Sequence, residues 1–244
     1  MRKRILSLLI VLALCLGLLP VTALAAENDR PYSLYVGNTD VAMTEYSDNA
    51  AYWTSSDGGT NWTSQQEEPT GDSYIYYDGQ GTLTLHNVNI SRSNECGIYA
   101  EAMSGSAVSL TIKLEGTNTV SGMYGIDVSS SGGDASLNIS DSGSLTVSGL
   151  SGNGMGIFMS SQNSANLTIK EASVTALGSQ DGGSGVRLIT SQTGSPSLTI
   201  EVKGGSLQAS GETNGIHFLS NVNDATAVAN MKVSGNAAAL CTAM

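Results

Sequence analysis

Positive charge, cysteine, histidine and long apolar runs are scarce in this chain, and each shortage excludes something. Ten basic residues stand against 21 acidic ones. Three of the ten, Arg2, Lys3 and Arg4, precede an apolar run from Ile5 to Leu19 that leads to Ala23-Leu24-Ala25, the layout of a secretory signal cut after Ala25. The exported remainder carries seven basic and 21 acidic side chains, a net charge of −14 that repels nucleic acid and anionic membrane surfaces. The apolar run is too short to span a membrane comfortably and has no successor, so no transmembrane segment is expected to be retained. Cys15 follows Leu14, where a lipoprotein signal wants a small residue, and lipidation is discounted. Two histidines, His86 and His217, make no metal site without distant partners, and no Gly-Gly-x-Gly-x-Asp calcium repeat is present. No metal and no cofactor are therefore expected.

What the chain has in quantity is repetition. Leu83/Leu85, Leu110/Ile112, Leu137/Ile139, Leu167/Ile169 and Leu198/Ile200 are pairs of apolar residues separated by one small polar residue, and they recur every 27 to 31 residues. A second alternating run follows each pair, as in Leu145-Thr146-Val147 and Leu207-Gln208-Ala209. A third opens on glycine: Gly97-Ile98, Gly125-Ile126, Gly156-Ile157, Gly185-Val186 and Gly215-Ile216. Three period-2 strands per repeat predict an all-β fold, a right-handed parallel β-helix of about five coils in which like residues stack about 4.8 Å apart. The recurring glycine is expected to supply a backbone conformation closed to other residues. Ile126, Val128, Ile139, Val147, Ile157 and Ile169 are expected in one axial core. Met231 to Gly235 reads as the second strand of a sixth, degenerate or incomplete coil. In this register Cys96 and Cys241 lie about five coils apart, too far for a disulfide.

Domain organisation follows. Residues 1–25 form the signal, residues 26–80 an N-terminal cap, and residues 81–244 the β-helix. Nine of the 13 aromatic residues fall in the cap, where they can cover the open end of the first coil. Within it, Ser55, Asp57, Gly59 and Trp62 resemble the Asp-box, S-x-D-x-G-x-x-W, which in sialidase-like propellers and other secreted proteins sits on a β-hairpin and is structural. Tyr52, Trp53 and Trp62 flank that turn; they either cover the first coil or form an aromatic sugar platform.

Tyr32-Ser33-Leu34-Tyr35-Val36-Gly37, the run from Tyr77 through Asp78, Gly79 and Gly81 to Leu85, the segment Leu114 to Val120 and the repeated Gly-Ile together carry a family likeness. The chain resembles Clostridia-type secreted surface proteins with carbohydrate-binding-like, right-handed β-helix domains. The resemblance implies export, with adhesion or glycan binding as the function. Pectate-lyase-like and polygalacturonase-like enzymes share this pectin lyase-like architecture, so a polysaccharide-degrading enzyme is the alternative, and a structural stalk of a larger surface protein a third.

For a site, alternation turns Tyr99, Asp127, Phe158, Arg187 and His217 outward on successive coils of the third strand. Rings could stack on sugars while Asp127 and Arg187 bond hydroxyl or acidic groups; otherwise the column is a face covered by a loop. No two acidic residues align on adjacent coils, and no catalytic pair is expected. The first strand turns Ser109, Thr111 and Lys113 outward, an ordinary polar ladder.

Overall fold

The computed structural model describes residues 29–44, 49–191, 195–221 and 227–243; the expected signal segment lies outside them. Every regular element among these residues is a β-strand, and the strands stack into a β-solenoid of about five coils. Each full coil contributes one strand to each of three sheets. In the coil that follows the first, these are Val108–Glu115, Thr117–Gly122 and Ile126–Ser129. Alternation decides their faces. Ile126, Val128, Ile139, Val147, Ile157 and Ile169 all point into the axis and are buried, as the period-2 pattern predicts.

The register departs from the spelling of the repeat. Leu83 and Leu85 pair with Ile112 and Leu114, one apolar position beyond Leu110 and Ile112. At the other end Leu167 stands opposite Ile200, and Leu198 lies over Ala165, which makes that coil 33 residues long. A slip of two residues keeps every side chain on its face, so hydrophobic pattern alone cannot resist it.

The glycines that open the third strands act through space. None of Gly97, Gly125, Gly156, Gly185 and Gly215 has a positive φ. A Cβ on Gly125 would lie 2.3 Å from Val147 Cγ1 and 2.8 Å from the Gly156 carbonyl, so the chain turns there too tightly for any side chain. The left-handed corner lies instead between the first and second strands, at Asn87 and Gly116 in the first two coils and at Asp141, Glu171, Gly204 and Gly235 in the next four. Just beyond the second of these corners, Gly116, Asn118 is fully buried in a column otherwise filled by Leu145, Val174 and Leu207. Its amide accepts from the Val88 N–H, just ahead of the short strand Asn89–Ser91, and donates to the Glu115 and Ser144 carbonyls.

The N-terminal segment closes the first coil on three sides. Strand Ser33–Val36 adds antiparallel to Ile98–Glu101 and extends the third sheet. Strands Tyr74–Tyr77, Ala51–Thr54 and Thr63–Gln65 extend the first sheet, again antiparallel. The turn between the last two presses on the edge of the second sheet, where a Cβ at Gly59 would fall 2.0 Å from the Asn89 carbonyl oxygen. Asp57 builds that turn: its carboxylate accepts from the Thr60 and Asn61 N–H groups and the Asn61 amide, and the Trp62 indole donates to the Gly59 carbonyl at 3.2 Å. The Asp-box-like stretch is thus a structural hairpin, with Trp62 tucked inside it.

At the opposite end no described strand stacks on the last coil. Val228–Ser234 pairs with the first-sheet strand Ser197–Lys203, and Ala238–Ala243 with the second-sheet strand Ser206–Gly211. Met231 to Ser234 therefore belongs to the first strand of the sixth coil, not the second. Cys96 and Cys241 are both free.

Candidate functional site

The third sheet places Tyr99, Asp127, Phe158, Arg187 and His217 in one unbroken column, each directly opposite the next. Strand Ser33–Val36 lengthens it by one ring, since Tyr35 stands opposite Tyr99. Tyr124, at the turn into its strand, stacks on Phe158 with centroids 4.9 Å apart. A crevice of about 320 Å³ opens at the cap end of the column, lined by Tyr35, Asn94, Glu95, Cys96, Tyr99 and Met123. Sequence pattern located the column; it did not reveal Tyr35 and Tyr124, because an antiparallel addition and a corner residue lie outside the repeat.

The column is not an open face. Asp127 is only 7% exposed, and the other four are half-buried. Ser129 Oγ donates to Asp127 Oδ1 at 2.5 Å, and the Cys96 thiol approaches Oδ2 at 3.8 Å. Burial pushes the Asp127 carboxyl up to about 6 despite those two bonds, and the charge of Glu101 adds to the rise. Burial likewise pushes the Cys96 thiol up to about 12, with the neighbouring Asp127 adding to it, so Cys96 is no nucleophile at neutral pH. Burial and Glu101 raise the Tyr99 phenol. At the far end, burial and the Arg187 charge lower His217, keeping its imidazole neutral. Arg187 is incompletely satisfied, because its buried Nε–H finds no acceptor among the described residues.

The proposed aromatic platform of Tyr52, Trp53 and Trp62 does not form. Trp53 and Trp62 point into the core, 5% and 7% exposed, while Tyr52 lies on the other side of the same strand. There it joins a different ring cluster: Tyr52 to Tyr76 at 4.6 Å, Tyr52 to Tyr74 at 5.6 Å, and Tyr74 stacked on His86 at 4.6 Å. Tyr74 donates to Glu68, and His86 meets Glu115 at 2.7 Å. The signal for this cluster was the spacing Tyr74-x-Tyr76, two rings on one face of a strand.

The other outer faces differ in chemistry. The second sheet turns out an uncharged row of Thr119, Thr146, Thr175 and Gln208. Among the described residues no group of three His, Cys, Asp or Glu side chains is placed to hold a metal ion. Comparison with family models, curated proteins and solved structures finds no match to this chain.

Proposed function

We propose that this chain is an exported, non-catalytic binding or adhesion module that takes carbohydrate, or another extracellular surface ligand, on the outer column of its third sheet. Arg187 carries the reading. Its side chain stands half-exposed in the column with no ion-pair partner among the described residues, so the outer edge of the guanidinium is available to a ligand hydroxyl or carboxylate. Phe158, with Tyr124 stacked on it, lies directly beside Arg187, and Tyr99 and Tyr35 add rings about 14 and 19 Å from Arg187 along the column, the mixture of apolar platform and few polar contacts that sugar recognition uses. A glycan array probed with the parent, Arg187→Gln and Phe158→Ala tests it. The parent is expected to bind a subset of glycans and each variant to lose about tenfold or more in affinity, as for loss of a charged hydrogen bond or a stacked ring. Arrays on which the variants match the parent would sink the proposal, and an array that binds no parent protein would favour the stalk reading.

One observation favours the enzyme reading. A carboxyl group held near pH 6 is suited to general-acid chemistry on a polysaccharide, and Asp127 is such a group. Its seclusion under Ser129 and Cys96 argues for a structural role instead. Reducing-sugar and unsaturated-product assays on the arrayed polysaccharides decide: turnover abolished by Asp127→Asn would put lyase or hydrolase activity first.

A further inference from the structure

The outer face of the first sheet concentrates positive charge on an otherwise acidic molecule. Beyond the expected signal the chain has four lysines, Lys113, Lys170, Lys203 and Lys232, and all four stand exposed on strands of this sheet. Only two of the 21 acidic residues, Glu115 and Glu201, share those strands. The three arginines lie elsewhere: Arg30 donates to the Gly79 carbonyl, Arg92 to the Gly37 carbonyl and Glu95, and Arg187 belongs to the third sheet. Asp141 and Glu171 occupy the corner beyond the strands.

Register turns this composition into a track. Tyr52, Tyr76, Thr84, Lys113, Ser140, Lys170 and Lys203 follow one another across seven strands in a single outward row. At the spacing of neighbouring strands it runs about 29 Å parallel to the solenoid axis, with lysines about 10 and 5 Å apart and two rings at one end. Lys170 stands directly opposite Lys203, and like charges so placed repel. Glu201 relieves part of that repulsion, meeting Lys203 at 2.9 Å, while Lys170 has no carboxylate within salt-bridge distance among the described residues. A pair of adjacent cations is expected to be relieved by an anionic ligand lying across both.

We propose that this row binds a linear anionic polysaccharide, laid along the axis with its carboxylate or sulfate groups on Lys113, Lys170 and Lys203 and a sugar ring against Tyr52 and Tyr76. Nucleic acid fits less well. The net −14 of the exported chain opposes any polyanion, and opposes a duplex, with two charges per base pair, more than a polysaccharide with about one anion per sugar. The surface is separate from the third-sheet column, so the two readings fail independently.

Affinity electrophoresis of the exported chain through gels containing polygalacturonate, dextran sulfate or neutral dextran tests the proposal. The parent is expected to be retarded by one or both acidic polymers and not by dextran, and to be released as salt rises. Retardation by polygalacturonate alone identifies carboxylate as the anion, by dextran sulfate alone sulfate. Lys113→Gln/Lys170→Gln should weaken binding about tenfold, as the loss of two exposed ionic contacts does, with an unchanged melting temperature. Glu201→Gln frees Lys203 and should strengthen binding, and Thr175→Ala, on the second sheet, should leave it unaltered. The proposal is overturned by no retardation of the parent, by equal retardation in dextran, by a double variant that binds like the parent, or by duplex DNA bound as tightly as the acidic polymers.

Discussion

The two ends of the solenoid are built on the same repeat and meet solvent in opposite ways. At the N-terminal end Leu83 and Leu85 of the first coil are completely buried, because Ile75, Tyr77, Trp53 and Trp62 continue the core beyond them. At the other end Met231 and Val233 occupy the same inward columns as Ile200 and Val202, yet are 40% and 48% exposed where the latter two are fully buried. Alternation tells a side chain which way to point; only a neighbouring coil or cap removes it from water. The edges differ as well. The capped first sheet ends in three polar residues, Thr63, Ser64 and Gln65, a short edge poor at recruiting another strand. The second sheet ends in Ala238–Ala243, six residues of mostly apolar edge with Leu240 56% exposed.

A single column provides the hardest test of this contrast. Ile169, Val202 and Val233 stack in consecutive coils. Ile169→Asp buries a carboxylate with neither water nor partner, and a loss of about 4 kcal/mol or more is expected, enough to unfold much of the chain. Val233→Asp, the same change two coils on at an exposed position, should alter stability by no more than about 0.5 kcal/mol. Urea denaturation of the two variants compares them directly; similar losses would mean that the terminal coil is covered in solution.

The cap allows a milder version. Trp62→Ala removes a buried ring and its bond to the Gly59 carbonyl, and a cost of about 3 to 5 kcal/mol is expected, whereas Met231→Ala at the opposite end should cost less than about 1. Melting curves of both check it. A Trp62→Ala protein as stable as the parent would show that the hairpin does not seal the first coil.

Much of this contrast could be read in the sequence, and the misses have physical causes. Five copies of the Leu-x-Ile pair and of Gly-Ile announce stacked coils, and Gly-Ile fixes the third-sheet register because a Cβ-free corner cannot slide. The Leu-x-Ile pairs carry no such pin; their register slipped by two residues at Leu83 and again at Leu198. The site was legible as a list of outward residues, Tyr99 to His217, but not as an environment. Nothing in alternation says that Asp127 is covered or that Tyr124 folds over Phe158. The Tyr52, Trp53 and Trp62 platform was avoidable: Tyr52 and Trp53 are consecutive in a strand, so their rings leave opposite faces.

The smallest effect separates cap from coil by the sign of its pH dependence. Asp127, in the second coil, has its folded pKa raised to about 6 by burial, above the ~3.9 of an unfolded aspartate. Between those values the folded chain holds more protons than the unfolded one, so stability falls as pH rises from about 4 to about 6, by roughly 3 kcal/mol at most. Asp57, in the cap, is the reverse. Hydrogen bonds from Asn61 and Ser55 lower its folded pKa to about 2, so its contribution is present above about pH 4 and is lost as pH falls toward 2. Being fully exposed, it contributes the smaller change. Urea midpoints should therefore peak near pH 4, decline toward neutrality through Asp127 and decline toward acid through Asp57. Asp127→Asn should flatten the neutral limb alone and Asp57→Asn the acid limb alone. If the neutral limb survived in Asp127→Asn, the carboxyl would have to be solvated in the folded chain, and the third-sheet column would be a more open surface than its packing indicates.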